Sequence, residues 1–226
     1  MTIFRSTQGE APRTRGRHLN HVAKIYDPVI ETLSFGRERA FRQRTLAHMP
    51  LVPQARVLDV GCGTGTLTLE IARQLVAPGE VVGIDAAPRM IEVALEKLQQ
   101  EPLPARFEVG VAESLDFADA DFDQVVNSMF THHIDTELKQ RAFAEMFRVL
   151  RPGGVLVTAD VDRPTTAWGW LTGWSARYLL VQKELEDNLR GDLPRLMSEA
   201  GFSRVERVDH VYGLVSFFVA RKGEAA

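Results

Sequence analysis

A single cysteine among 226 residues excludes an internal disulfide framework and a cysteine-rich metal site. That residue, Cys62, lies between two glycines, where a small side chain serves packing better than reactivity. No apolar run approaches the roughly 20 residues of a membrane-spanning helix, and no signal-peptide core opens the chain, so a soluble, cytoplasmic protein is expected. Internal repeats and long linkers are also missing. With 45% hydrophobic residues, the chain suits one globular domain with a sizeable core. Net charge is only −3, but it is unevenly spread: residues 1–50 carry +5 and the remainder −8. The basic leading segment is a candidate for peripheral contact with an anionic membrane surface. The plainer reading is a solvated helix face behind a frayed tail.

What is present centres on Val57-Leu58-Asp59-Val60-Gly61-Cys62-Gly63-Thr64-Gly65-Thr66. An apolar run ends in an acid and breaks into alternating glycines, and Leu67 to Ala77 then carries apolar residues at helical spacing. This predicts a strand-to-helix turn in which glycine lets a ligand press against the main chain. A dinucleotide fingerprint needs G-x-G-x-x-G, whereas here Thr66 takes the place of the third glycine, which weakens an NAD reading. Asp59 closes this strand and Asp85 closes the next, Val81–Asp85. One carboxylate can attract an ammonium and the other can accept both hydroxyls of a ribose. S-adenosylmethionine has both groups and no pyrophosphate.

The remaining pattern alternates strand and helix. Residues 1–17 lack periodicity and are expected to be a flexible tail. An apolar stripe over His18 to Leu33 and a second helix from Arg37 to His48 precede the first strand, and their position predicts a cap over the strand ends. After the glycine turn come strand Val81–Asp85, helix Pro88–Gln100, strand Ala105–Val109, strand Asp121–Ser128 and helix Thr136–Leu150. Arg151-Pro152-Gly153-Gly154 should turn the chain into strand Val155–Val161. Helical crossovers between all but one pair of strands require a parallel sheet. Helical segments over 166–200 hold all three tryptophans, and Arg204–His210 with Leu214–Ala220 form a closing hairpin around Gly213. The expected parts are a cap at 18–50, a cofactor-binding core at 51–165, an acceptor-side helical segment at 166–200 and the hairpin at 201–222.

Ligands of such sheets bind outside the carboxyl ends of the strands. The residues there are Asp59 with Gly61, Gly63, Thr64 and Gly65; Asp85 with Ala86 and Met90; Val111, Ala112 and Glu113; Asn127 and Ser128 with His132 and His133; and Asp160 to Asp162. Methyl transfer from a sulfonium needs no metal, only an acceptor held in line and water kept out. A base is required where a phenol, enol or amine must lose a proton. His132, His133 and Asp160 are the candidates, against the plainer reading of polar residues that satisfy a helix start or a loop. Phe130, Trp168, Trp170 and Trp174 are candidates for an apolar acceptor wall.

The glycine stretch resembles motif I of the class I S-adenosylmethionine-dependent methyltransferases, and the similarity extends over residues 20 to 222. The resemblance implies a doubly wound α/β, Rossmann-like sheet of seven strands, mostly parallel with an antiparallel last strand, and helices on both faces. It also implies that Asp59 and the glycines hold the methionine part, Thr64 caps the following helix, Asp85 binds the ribose and Met90 borders adenine. Tyr26 is a candidate lid. The family's Asp-Ala or Asn-Ala after the third crossover is Val111-Ala112 here, which leaves backbone groups or Glu113 to meet the adenine amine. Tyr26-Asp27, Leu33-Ser34-Phe35-Gly36, Ser114-Leu115-Asp116-Phe117, the Phe147 to Gly154 stretch and the ending from Gly213 resemble the ubiquinone and menaquinone biosynthesis C-methyltransferases. Two positions depart: Ile30 replaces a polar residue, and Phe130-Thr131-His132-His133 replaces Gly-apolar-Arg-Asn.

The expected activity is therefore methyl transfer to a small, apolar or aromatic acceptor such as a quinol, a lipid or a natural product. Two alternatives stand beside it. A nucleic-acid methyltransferase that modifies an exocyclic amine would carry Asn/Asp-Pro-Pro-aromatic after the fourth strand, where Asn127-Ser128-Met129-Phe130 stands, so no nucleic-acid partner is expected. A module that binds the cofactor without catalysis would share the same turn.

Overall fold

A computed structural model of the chain describes residues 37–179 and 182–224, together with Thr14, Gly16, Ala23, Tyr26 and Asp27. Most of the tail at 1–17 and of the helix expected from His18 to Leu33 lies outside the described residues, as does the Ser34-Phe35-Gly36 segment.

Valine and leucine fill the central strands because both faces of the sheet are covered. Strand β1 (Arg56–Val60) lies between β2 (Glu80–Asp85) and β4 (Phe122–Ser128), with Val57 opposite Val81 and Leu58 opposite Val125. Its side chains alternate between two cores. Leu58 and Val60 join Val82, Val125 and Leu156 under Phe143, Met146, Leu193 and Leu196. Val57 joins Val81, Val126 and Val157 under Leu67 and Ile71. Helix α2 (Thr66–Ala72) therefore packs on one face and α4 (Thr136–Val149) with α7 (Leu193–Glu199) on the other.

The seven strands run in the order β3-β2-β1-β4-β5-β7-β6, with β3 at Ala105–Val109, β5 at Leu150–Val161, β6 at Arg204–Val211 and β7 at Val215–Arg221. Strands β3, β2, β1, β4 and β5 are mutually parallel, and β7 is antiparallel to both β5 and β6. The order reverses between β1 and β4, which opens the crevice that such sheets use for ligands. Helix α1 (Arg37–Ala47) packs Phe41 on Ala159 and Phe217 and joins Arg42 to Glu70 at 2.9 Å. Helix α3 (Pro88–Gln100) follows β2, with its proline in the first turn as expected.

Three boundaries differ from the sequence reading. Helix α2 ends at Ala72 rather than Ala77, and two short turns close it through Gln74 N donating to Ile71 O and Leu75 N donating to Ala72 O. Arg151 to Gly154 is not a separate turn: β5 begins at Leu150, paired with Phe122, and the two glycines are absorbed where the register shifts. The β6–β7 hairpin turns on three residues, Tyr212 (φ 56°), Gly213 (φ 68°) and Leu214, between the paired Val211 and Val215, with Leu214 N donating to Val211 O at 3.2 Å. Among the described residues, no helix is long and apolar enough to cross a membrane.

Candidate active site

The glycine turn is pinned to the end of β2. Gly61 N and Cys62 N both donate to Ile84 O at 2.9 Å, and Gly63 N donates to Asp85 Oδ2 at 2.9 Å. Asp85 Oδ1 accepts from Ala87 N at 2.8 Å, so the carboxylate ties together the two loops that a nucleoside would lie across. A carboxylate only accepts hydrogen bonds, the chemistry that ribose hydroxyls require. Gly63 has φ 54°, and a Cβ built there meets nothing within 4 Å, because it would project into open volume. At Gly61 a Cβ would come within 2.5 Å of the Phe130 ring. The first position is thus glycine to leave space for a ligand, and the second to let the next loop close over it.

That open volume is a cavity of about 880 Å³. Asp59, Gly61, Gly63, Thr64, Asp85, Ala86, Met90, Val111, Ala112, Glu113 and Ser128 all line it, as the strand-end argument requires. Tyr26 lines it too, packed with Met90, Ala87 and Ala23; burial, then Glu38, Asp27 and Asp85, push its hydroxyl up to about 12. A neutral phenol therefore covers one side. Asp59 is fully buried and accepts from Thr68 Oγ1 at 2.6 Å. Burial raises its carboxyl to about 7 against that hydrogen bond, and Asp85 adds to the rise. An ammonium or sulfonium in the cavity would favour the ionised form, so the donor set and the open cradle fit S-adenosylmethionine.

The other end of the cavity is lined by Met129, Phe130, His132, His133 and Ile134. Asp160 organises this loop from behind. Its Oδ2 accepts from Phe130 N (2.9 Å), Thr131 N (2.6 Å) and Thr131 Oγ1 (2.7 Å), and its Oδ1 from Val161 N (2.7 Å) and His132 Nδ1 (2.6 Å). Burial alone would raise this carboxyl, but His132 and the remaining donors hold it below the usual range. Because an ionised carboxylate only accepts, His132 donates to it through Nδ1. The His133 ring lies 4.0 Å from that of His132, centroid to centroid. Asn188 completes the support, its Nδ2 donating to Thr131 Oγ1 at 3.0 Å and to Val161 O at 2.9 Å.

Several expected site residues lie elsewhere. Asn127 is fully buried beside the cavity rather than in it: it faces Thr158 across β4 and β5, and its Nδ2 donates to Thr158 Oγ1 at 2.9 Å. Strand alternation turns it to the opposite side from Ser128. Asp160 supports the loop without lining the cavity, and Asp162 is buried against Ser216 Oγ at 2.6 Å. Thr64 does not cap α2. Gly65 occupies the N-cap with φ 76° and, unlike Gly61 and Gly63, is packed against Phe107 and Ala94 rather than lining the cavity, and Thr64 Oγ1 donates instead to Asp27 Oδ1 at 2.6 Å. Among the described residues, none from 166–200 lines the cavity, and Trp168 and Trp170 are exposed. That segment braces the His132 loop through Asn188. Of the four aromatics expected to form an acceptor wall, Phe130 lines the cavity.

Asp27 and Lys97 are among the site residues that were not foreseen. Asp27 and Lys97 pair at 2.6 Å, and Lys97 Nζ donates to Thr66 Oγ1 at 2.8 Å, which fastens the leading segment to the glycine turn. The Tyr26-Asp27 pair was the available signal for the first; an isolated lysine on a helix gives none for the second. Cys62 lines the cavity and packs against the cluster of Leu69, Ile91, Ala94 and Phe107, and its thiol is pushed well up by burial, then by Asp85 and Asp59.

A doubly wound sheet with this cradle at its switch point defines a class I, S-adenosylmethionine-dependent methyltransferase fold. Residues 57–154 match the family described as a methyltransferase domain. The chain is 30% identical to the ubiquinone/menaquinone biosynthesis C-methyltransferase UbiE of Geobacter sp., over 89% of this chain and 93% of that protein. It is 35% identical to a demethylmenaquinone methyltransferase of Lactiplantibacillus plantarum, over 66% of this chain and 65% of the relative. The crystal structure of a SAM-dependent methyltransferase from Methanosarcina mazei superposes with a TM-score of 0.62 at 27% identity, covering 80% of this chain and 98% of that one. The chain belongs to the class I S-adenosylmethionine-dependent methyltransferases and resembles their quinone-biosynthesis branch; its cofactor is S-adenosyl-L-methionine.

Proposed function

We propose that this enzyme methylates a small, apolar or aromatic acceptor bearing an acidic hydroxyl, of the quinol or phenol type, with His132 as the proton acceptor. Support comes from one arrangement: an imidazole on the cavity wall, its Nδ1 held 2.6 Å from a buried carboxylate, among the apolar side chains of Met129, Phe130 and Ile134. Two relatives are named for quinone methylation. The sequence departs from that branch in this loop, so the acceptor is assigned by chemical class only.

Bound in the cavity, the cofactor supplies a methyl group on a sulfonium that leaves without metal assistance. Asp59 and Asp85 would hold its methionine and ribose parts, with Met90 and the Val111–Glu113 loop beside the base. His132 Nε2 takes the acceptor's hydroxyl proton, which raises electron density at the oxygen or at the ring carbon conjugated to it. Asp160 stays ionised and stabilises the imidazolium through Nδ1. Phe130 and Tyr26 keep water from both ends of the site.

The test is turnover to S-adenosylhomocysteine against a panel of quinols, simple phenols, phospholipids and RNA. Quinols or phenols should turn over, and His132→Asn, which keeps a donor toward Asp160 but lacks Nε2, should lower kcat by about 10²–10⁴-fold with little change in KM. Turnover with phospholipid or RNA alone, or a fully active His132→Asn enzyme, would contradict the proposal.

A further inference from the structure

Helix α5 (Ala167–Leu179) is built inside out. Its glycines, Gly169 and Gly173, are buried, while Trp168, Trp170, Leu171 and Tyr178 are exposed by 70, 59, 55 and 66%. At about 100° per residue, the glycines occupy one face and the large side chains spread over the rest of the helix, with Leu171 and Tyr178 opposite the glycines. A Cβ on Gly169 would stand 2.2 Å from the Gly213 carbonyl oxygen, and one on Gly173 would stand 2.7 Å from Leu189. The backbone itself is thus pressed against the β6–β7 turn and against α6 (Glu186–Arg190), which leaves no room to rotate the aromatics inward.

Trp170, Trp174 and Tyr178 follow one another at i, i+4 spacing, with ring centroids 6.0 and 5.8 Å apart. Only Trp174 reaches the core, against Val161, Leu185 and Leu189. Tyr212, half exposed at the hairpin tip that α5 packs on, extends the surface and carries the Arg37 guanidinium 5.4 Å above its ring. Scattered exposed apolar residues are ordinary, but a continuous aromatic face of this kind marks a contact surface.

Charge selects the partner. Residues 163–183 contain Arg163, Arg177 and Lys183 and no acid, and Arg163 and Lys183 are exposed. Of the acids that follow, Glu184 has one carboxylate oxygen buried, Glu186 is paired with Arg177 at 2.9 Å and with Arg190, and Asp187 is paired with Lys139 at 3.1 Å. We infer that the exposed face of α5, continued by Tyr212, seats the protein on an anionic lipid bilayer. Tryptophan and tyrosine lie at the boundary between headgroups and acyl chains, and the cations meet the phosphates. This contact surface lies outside the cavity and stands whatever the acceptor is.

All three tryptophans of the chain are on α5, so their fluorescence reports on this helix alone. The full-length protein is titrated with phosphatidylglycerol vesicles and, separately, with phosphatidylcholine vesicles. Anionic vesicles should shift emission to the blue and co-sediment the protein in a salt-sensitive way, with little response to the zwitterionic ones. The variant Trp168→Ser/Trp170→Ser/Tyr178→Ser keeps Trp174 as reporter and should lose about tenfold or more in vesicle affinity. Its affinity for S-adenosylmethionine should stay unchanged, which shows that it is folded. Unchanged emission with anionic vesicles, or an equal response to both kinds, overturns the inference. So does self-association removed by the same substitutions without any vesicle binding, since the face would then belong to a second copy of the chain.

Discussion

Asp85→Ala removes the carboxylate on which the nucleoside end of the site depends. In the folded chain that carboxylate accepts from Gly63 N at 2.9 Å and from Ala87 N at 2.8 Å, and it faces the cavity as an acceptor for ribose hydroxyls. Hydrogen bonds to a charged group contribute about 1.5–3 kcal/mol each, less where water can replace the lost partner, so cofactor affinity should fall by about 1–3 kcal/mol. That corresponds to roughly 5- to 150-fold in Kd, read by isothermal titration. Because the two freed N–H groups also loosen the loops, the thermal midpoint of the ligand-free protein should fall as well. A 2′-deoxyribose analogue of the cofactor product separates the two effects. Having lost one hydroxyl already, it should be less sensitive to Asp85→Ala than the parent compound, with a coupling of about 1 kcal/mol. Unchanged affinity of the parent, or equal losses for both ligands, would put the ribose elsewhere and refute the assignment.

Asp59 has a pH signature. Its folded value of about 7 exceeds its ordinary 3.8, so between those values the folded chain holds a proton that the unfolded chain has released. Stability of the ligand-free protein should therefore decline as pH rises from about 4 to 7 and level off above, a slope that Asp59→Asn removes. Cofactor binding should tighten over the upper part of the same window and release a proton, detectable by titration calorimetry in buffers of different ionisation enthalpy. Gly63→Val places a side chain in open volume at φ 54°, so it should abolish cofactor binding while costing about 1–2 kcal/mol of stability. A folded Gly63→Val protein that binds normally would mean that the cavity is not the cofactor site. Lys97→Ala should cost under about 1 kcal/mol in stability, since the Asp27–Lys97 pair is partly exposed, yet raise KM for the cofactor by releasing the leading segment. An unchanged KM would detach that segment from the site.

Much of the architecture was legible because the physics was local. The valine runs at 57–60, 81–82 and 125–126 can only be doubly buried strands, and Pro88 and Gly213 mark a helix start and a hairpin. The cofactor end was legible for the same reason: glycine spacing and a terminal acid report on a single turn. The acceptor end was not. Whether Asn127 or Ser128 faces the cavity depends on the strand's phase at its last residues, and both are polar. Thr64 has the chemistry of a cap, and it was drawn off by Asp27, a partner 37 positions away. The three tryptophans suggested a pocket wall because burial is their common fate. Gly169 and Gly173, four residues apart, were the overlooked sign that the opposite face of α5 is the one that packs.

The central claim is that the cavity beside the glycine turn presents the cofactor's methyl group to an acceptor at His132. A crystal structure with S-adenosylhomocysteine and a quinol tests it most directly. The account predicts the ribose on Asp85, the amino-acid part against Gly61–Gly65 and the acceptor hydroxyl within hydrogen-bond reach of His132 Nε2. An acceptor bound away from His132, or a nucleoside outside the turn, would contradict it.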